Sequence, residues 1–215
     1  MKNSFDRQLE VLNGKMIEMG NLIEQAIEQA VKALMNYDVE LAKKTIEHDS
    51  VIDEQEREIE NCCFKLLLKQ HPVARDLRLI SSALKMVTDM ERIGDHAEDI
   101  SEITILLAKH PYRKELDFIQ KMSKETMVMV VDAIQAFVEH DEEKARSVIQ
   151  HDDIVDHLFL QAKRRLIQEI KEHPEEGEQA ADLLMAAKYF ERIGDHATNI
   201  AEWVMYSITG VIAKS

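Results

Sequence analysis

The chain has 215 residues and is 45% hydrophobic, yet it holds six glycines and three prolines, which excludes a turn-rich β fold and implies long helices joined by few turns. A formal net charge of −14 argues against non-specific binding to DNA, RNA or an anionic membrane surface and leaves cations and basic protein surfaces as partners. The opening MKNSFDRQLE lacks an apolar signal-peptide core and no uncharged run reaches the length of a membrane span, so we expect a cytoplasmic protein without direct membrane insertion.

The first helix is predicted from about residue 5 to 36. Phe5, Leu9, Leu12, Met16, Met19, Ile23, Ala26, Ala30 and Ala33 alternate steps of four and three, which is a coiled-coil seam. The methionines are read as core, because that spacing already demands apolar residues. Asp38 is placed to cap a second helix running to about residue 69. Cys62 and Cys63 are neighbours about 100° apart on that helix; they are poorly placed to bridge each other and read as small core residues in a reducing compartment. His71-Pro72 breaks the chain, a third helix follows to about residue 108, and Lys109-His110-Pro111 is a linker.

The plan then repeats. ERIGDHA stands at 91–97 and again at 191–197. Upstream, Asp38 and Asp141 open similar segments 103 residues apart, and the same offset maps the first seam onto Ile119, Met122, Thr126, Met129, Ala133 and Ala136. His71-Pro72 corresponds to His173-Pro174. The fold class expected is all-α: two tandem homologous three-helix bundles, residues 1–108 and 109–215.

Each unit carries two carboxylate pairs at i and i+4, about 6 Å apart on one helix face: Asp49 with Asp53 and Glu91 with Asp95 in the first, Asp152 with Asp156 and Glu191 with Asp195 in the second. In an antiparallel hairpin the two pairs of a unit are level to within one residue, counted from the His-Pro turn. Four level carboxylates repel one another unless some protonate or a cation sits between them. An oxygen-only donor set favours Mg²⁺, Ca²⁺, Mn²⁺ or iron over zinc or copper. Gly94 and Gly194 lie beside these acids, where a missing side chain lets a partner helix or an ion approach. Glu98 and Asp99 extend the acidic stripe in the first unit where the second has Thr198 and Asn199, so the first site should hold cations more tightly or hold more of them. A solvated face is the plainer alternative in a chain with 41 acids. The His-Asp pairs at 48–49, 140–141 and 151–152 lack the separated histidines of a metal-dependent phosphohydrolase, Glu-x-x-His of a di-iron bundle is absent, and no residue is nominated as a nucleophile.

Two copies of ERIGDHA on the third helix of a three-helix unit, with Pro72-Val73-Ala74-Arg75-Asp76-Leu77-Arg78 opening that helix in the first, resemble the PhoU family of phosphate-uptake regulators along the whole chain. The resemblance implies a cytoplasmic, non-enzymatic negative regulator of phosphate uptake and phosphate-starvation signalling. Its partners would be a phosphate ABC transporter ATPase and a phosphate-sensing histidine kinase, and it would work as a homodimer. Some members bind metal through E/D-x-x-x-D motifs, which here fall on Asp49, Asp53, Glu91, Asp95, Asp152, Asp156, Glu191 and Asp195. The family pattern continues to Asn-Ile; Asn199-Ile200 keeps it and Asp99-Ile100 departs from it, and both Asp99 and Asn199 join the ligand sets. The cofactor implied is a divalent or trivalent metal ion: iron, manganese, magnesium or zinc. The runner-up is a metal-dependent phosphohydrolase or a metal-storage bundle built on the same acids.

Overall fold

The computed structural model describes residues 4–70, 72–110 and 116–211. His71 of the first break and Pro111 of the linker lie outside the described residues. Six long helices follow in order: α1 (Ser4–Asn36), α2 (Val39–Gln70), α3 (Ala74–Leu107), α4 (Asp117–Glu139), α5 (Glu142–Glu172) and α6 (Gly177–Thr209). A 3₁₀ turn, Pro174–Glu176, leads into α6, and no strand occurs among the described residues. The all-α architecture and its internal duplication are as expected from the sequence.

Helices α1, α2 and α3 pack on one another, as do α4, α5 and α6. The two trios are not separate beads. They join through α3 against α6 and α1 against α4, and one continuous apolar core runs through all six helices. The seam of α1 is buried from Leu12 to Ala33, while Phe5 and Leu9 are partly covered. Its counterpart on α4 is buried too, including Thr126, whose hydroxyl donates to the Met122 carbonyl (3.0 Å) and so enters the core satisfied. Cys63 is fully buried, Cys62 half-buried, and both are free thiols.

The duplication extends to the turns. Tyr37 and His140, 103 residues apart, both adopt the left-handed conformation (φ 53° and 54°). The following Asp38 and Asp141 donate their backbone N–H to Ala33 and Ala136 (2.9 Å each). Each aspartate also caps the next helix through Oδ1, accepting from the N–H of Leu41 or Lys144 (3.0 Å each). These turns fix the antiparallel return of α2 on α1 and α5 on α4, and so set the level at which the acids of α2 and α5 lie.

Where α1 crosses α4, Gly20 leaves room for Ile134: a Cβ there would sit 3.0 Å from Ile134 Cδ1 and 3.3 Å from Cγ2. Gly14, earlier on the same helix, has nothing within 4 Å of the same position. Gly20→Val is therefore expected to lower stability by about 1–3 kcal/mol through overpacking. Gly14→Ala should raise it by about 0.5–1 kcal/mol through helix propensity. Urea unfolding midpoints followed by circular dichroism check both; equal effects at the two glycines would contradict the close crossing.

Candidate metal centre

The acids of α2 reach those of α3 because the two helices close up at Gly94. A Cβ on Gly94 would lie 3.0 and 3.1 Å from Ile52 side-chain carbons and 3.3 Å from Asp49 Oδ1. The second unit repeats this at Gly194, with Val155 Cγ1 at 3.3 Å and Asp152 Oδ1 at 3.5 Å. In each case the carboxylate that opens the α2 or α5 pair is pressed against a bare stretch of helix backbone.

Three carboxylates converge in the first unit. One oxygen from each of Asp49, Asp95 and Glu98 lies within 4.8 Å of the other two. Asp49 Oδ1 is buried and receives no hydrogen bond. Burial, with the charges of Asp95, Asp53 and Asp99, pushes Asp49 up to about 6. Glu98 rises to about 7 by burial and by Asp49 and its acidic neighbours, and Glu91 to about 7 by burial and by Asp95, against the pull of Arg92. Arg92 donates to Asp95 Oδ2 (2.7 Å), and Arg57 lies 3.4 Å from Asp53 Oδ2. Asp53 and Glu91 thus stand one turn toward the α2–α3 turn, still acting on the cluster through charge.

In the second unit burial and then Asp156, Asp195 and Glu191 push Asp152 up to about 6, with the Thr198 hydroxyl opposing. Asp195 is raised as well, by burial first and then by Glu191. Glu191 pairs with Lys188. Thr198 stands where the first unit has Glu98, and no group of three acid oxygens converges there within 4.8 Å among the described residues.

Asp99 and Asn199 turn toward the seam between α3 and α6. Asp99 Oδ2 accepts from His96 Nδ1 on its own helix (3.1 Å). Asn199 donates its amide to Asp89 Oδ1 across the seam (3.0 Å), and His196 Nδ1 donates to the same oxygen (2.8 Å). The rings of His96 and His196 lie 5.5 Å apart, and Tyr189 stacks on His96 at 5.4 Å. Burial lowers the His96 pKa, its largest cause, with Asp99 opposing. Sequence reasoning passed over Asp89 and Tyr189. Their signal was a mismatch: they occupy the same place two residues before ERIGDHA, and one is acid where the other is aromatic.

The donors of the first cluster fit a hard cation. They are all oxygens, one is buried without a donor, and the glycine leaves open what a Cβ would fill. The chemistry such an arrangement performs without an ion is proton uptake. Because burial and repulsion favour the protonated acid, the folded chain holds more protons than the unfolded one between the ordinary carboxylate range and about 6 for Asp49. Stability is therefore lost as pH rises through that window. Asp49→Asn is expected to raise the melting temperature of metal-free protein by a few degrees at about pH 8, and the gain should fade below about pH 6. Thermal scans of the two proteins across this range test it; a variant that is less stable at high pH would sink the account.

A PhoU domain model matches residues 16–104 and 119–204. A phosphate-specific transport system accessory protein PhoU homolog of Aquifex aeolicus is 39% identical over 208 residues, covering 97% of this chain and 94% of that one. A homolog of the same name from Clostridium acetobutylicum is 36% identical over 207 residues, covering 96% and 94%. The crystal structure of PhoU from Pseudomonas aeruginosa superposes with a TM-score of 0.93 at 35% identity, covering 97% of this chain and 100% of that one. The phosphate transport system regulatory protein PhoU from Streptococcus pneumoniae gives 0.90 at 28% identity, covering 99% and 100%.

Proposed function

The chain belongs to the PhoU family, and on that premise we propose that it is a non-enzymatic negative regulator of phosphate uptake and phosphate-starvation signalling. It acts in the cytoplasm by contact, linking the ATPase of a phosphate ABC transporter to a phosphate-sensing histidine kinase, and it works as a homodimer. What carries the reading is likeness over nearly the full length, in both units, to proteins named for phosphate transport regulation.

The metal part of the proposal rests on a separate observation, the buried, donor-less Asp49 Oδ1 facing Asp95 and Glu98. Asp49, Asp95 and Glu98 would hold the ion, with Asp53, Glu91 and Asp99 lending charge; Asp152, Asp156, Glu191, Asp195 and Asn199 form the weaker second set. A divalent or trivalent ion, of iron, manganese, magnesium or zinc, would supply positive charge to these acids, which otherwise repel one another; Asn199, already held by Asp89 across the seam, would reach such an ion only by leaving that bond. The chain's own residues do the rest. Gly94 lets α2 close on α3, Ile52 keeps the contact dry, and Arg92 orients Asp95 from the rim.

Deleting the gene should raise expression of phosphate-starvation genes in phosphate-rich medium, and a pulldown from replete cells should recover the transporter ATPase or the kinase. Unchanged expression with phosphatase turnover by the metal-loaded protein would instead favour an enzyme. In the purified protein, Asp95→Asn should abolish the tighter phase of a Mn²⁺ titration and Asp195→Asn the weaker one. Indistinguishable isotherms would refute the inequality of the two sites.

A further inference from the structure

The net charge of the whole chain conceals an opposition between its two hairpin tips. Positions 61–82, around the α2–α3 turn, carry four basic residues and a single acid, Asp76, and the start of α1, packed at the same end, adds Arg7 with Asp6 and Glu10. Positions 163–184, around the equivalent α5–α6 turn, carry four basic residues and six acids. Duplication supplied the same scaffold twice, so helix-hairpin geometry does not account for the difference.

Apolar exposure follows the charge. At the first tip Leu68 is 79% exposed, Val73 69%, Phe64 50% and Leu77 46%. Val211, at 68%, joins them from the end of α6, because Gly210 lies against the Arg78 guanidinium. Lys65 and Arg75 are exposed beside them, with no carboxylate in ion-pair range among the described residues. Within 163–184 the exposed large apolar side chain is Ile167, at 38%, and the turn itself reads Pro174-Glu175-Glu176.

We propose that the α2–α3 tip is a docking surface for an anionic lipid bilayer. Basic side chains flanking protruding aliphatic and aromatic ones are the chemistry that seats on acidic headgroups and dips into the acyl boundary. These side chains are exposed at one helix turn and need no shaped groove in the partner. A second copy is disfavoured as occupant. The basic tip would have to meet the acidic tip of the next molecule, a head-to-tail contact that leaves each end open and builds chains instead of a closed dimer. The acidic α5–α6 tip is repelled by the same headgroups, so the molecule meets the bilayer with the α2–α3 end first, the start of α1 and the α4–α5 turn lying beside it. The acid cluster of α2 and α3, about twenty residues up the hairpin, is then held roughly 30 Å from the bilayer. This inference goes beyond the proposed function and stands without the metal.

The test is flotation of the full-length protein with vesicles of phosphatidylcholine containing roughly one-third phosphatidylglycerol, against phosphatidylcholine alone. The protein should float with the acidic vesicles and be released by high salt. Leu68→Glu with Val73→Glu should weaken binding about tenfold or more. Val128→Glu with Ile154→Glu makes the same charge change at exposed apolar sites on α4 and α5 and should leave binding unchanged. Circular dichroism confirms that both variants fold. No flotation, equal flotation with neutral vesicles, or equal loss in both double variants would each overturn the proposal. So would a tip that ignores vesicles yet binds the transporter ATPase or the kinase, a result that would leave the regulatory reading intact.

Discussion

Everything at the candidate centre follows from how closely α2 can approach α3. A side chain at position 94 would collide with Ile52, so glycine there lets the helices close, and closing carries one oxygen of Asp49 out of water. With that oxygen buried beside the half-buried Asp95 and Glu98, solvent dissipates less of their repulsion. A mid-helix glycine lowers helix propensity by about 1 kcal/mol. Four helices of this chain could have met on ordinary apolar side chains instead. The glycine and the crowded acids together make an arrangement that is strained when empty of positive charge and relieved when a proton or a cation arrives.

The same constraint recurs at Gly194, but its outcome differs because the surroundings have diverged. Thr198 replaces Glu98, Lys188 pairs with Glu191, and the acid oxygens do not converge as they do in the first unit. Two copies of one hairpin therefore present one tight cluster and one looser one. The tips diverged as well, in the opposite sense of charge: the unit with the more acidic centre has the more basic tip.

Helices, caps and duplication were legible in the sequence because each rests on local chemistry. The seam of α1 repeats at coiled-coil spacing, Asp38 and Asp141 cap as N-cap residues do, and ERIGDHA recurs intact. Counting from the turn also brings Asp49 level with Asp95, which do meet, but it did not single out Glu98 over Asp53 and Glu91 as the third acid. What the sequence withheld was side-chain direction across units. Asn199 and Asp99 share a wheel position with the acidic stripe, yet both are drawn to the α3–α6 seam, one by Asp89 and the other by His96. No count within one unit could locate that seam for Asn199, whose partner Asp89 is 110 residues away.

The seam also bears on what joining the two units in one chain makes possible. If two identical units met about a dyad, a residue at position 89 would face the same pair of histidines as its twin, and one side chain would have to suit both. In the single chain each copy of that position has a fixed and different neighbour: Asp89 serves His196, and Tyr189 lies on His96. A carboxylate and an aromatic ring can then divide between them what neither could do twice. Linkage has converted a symmetric contact into one whose halves are free to specialise.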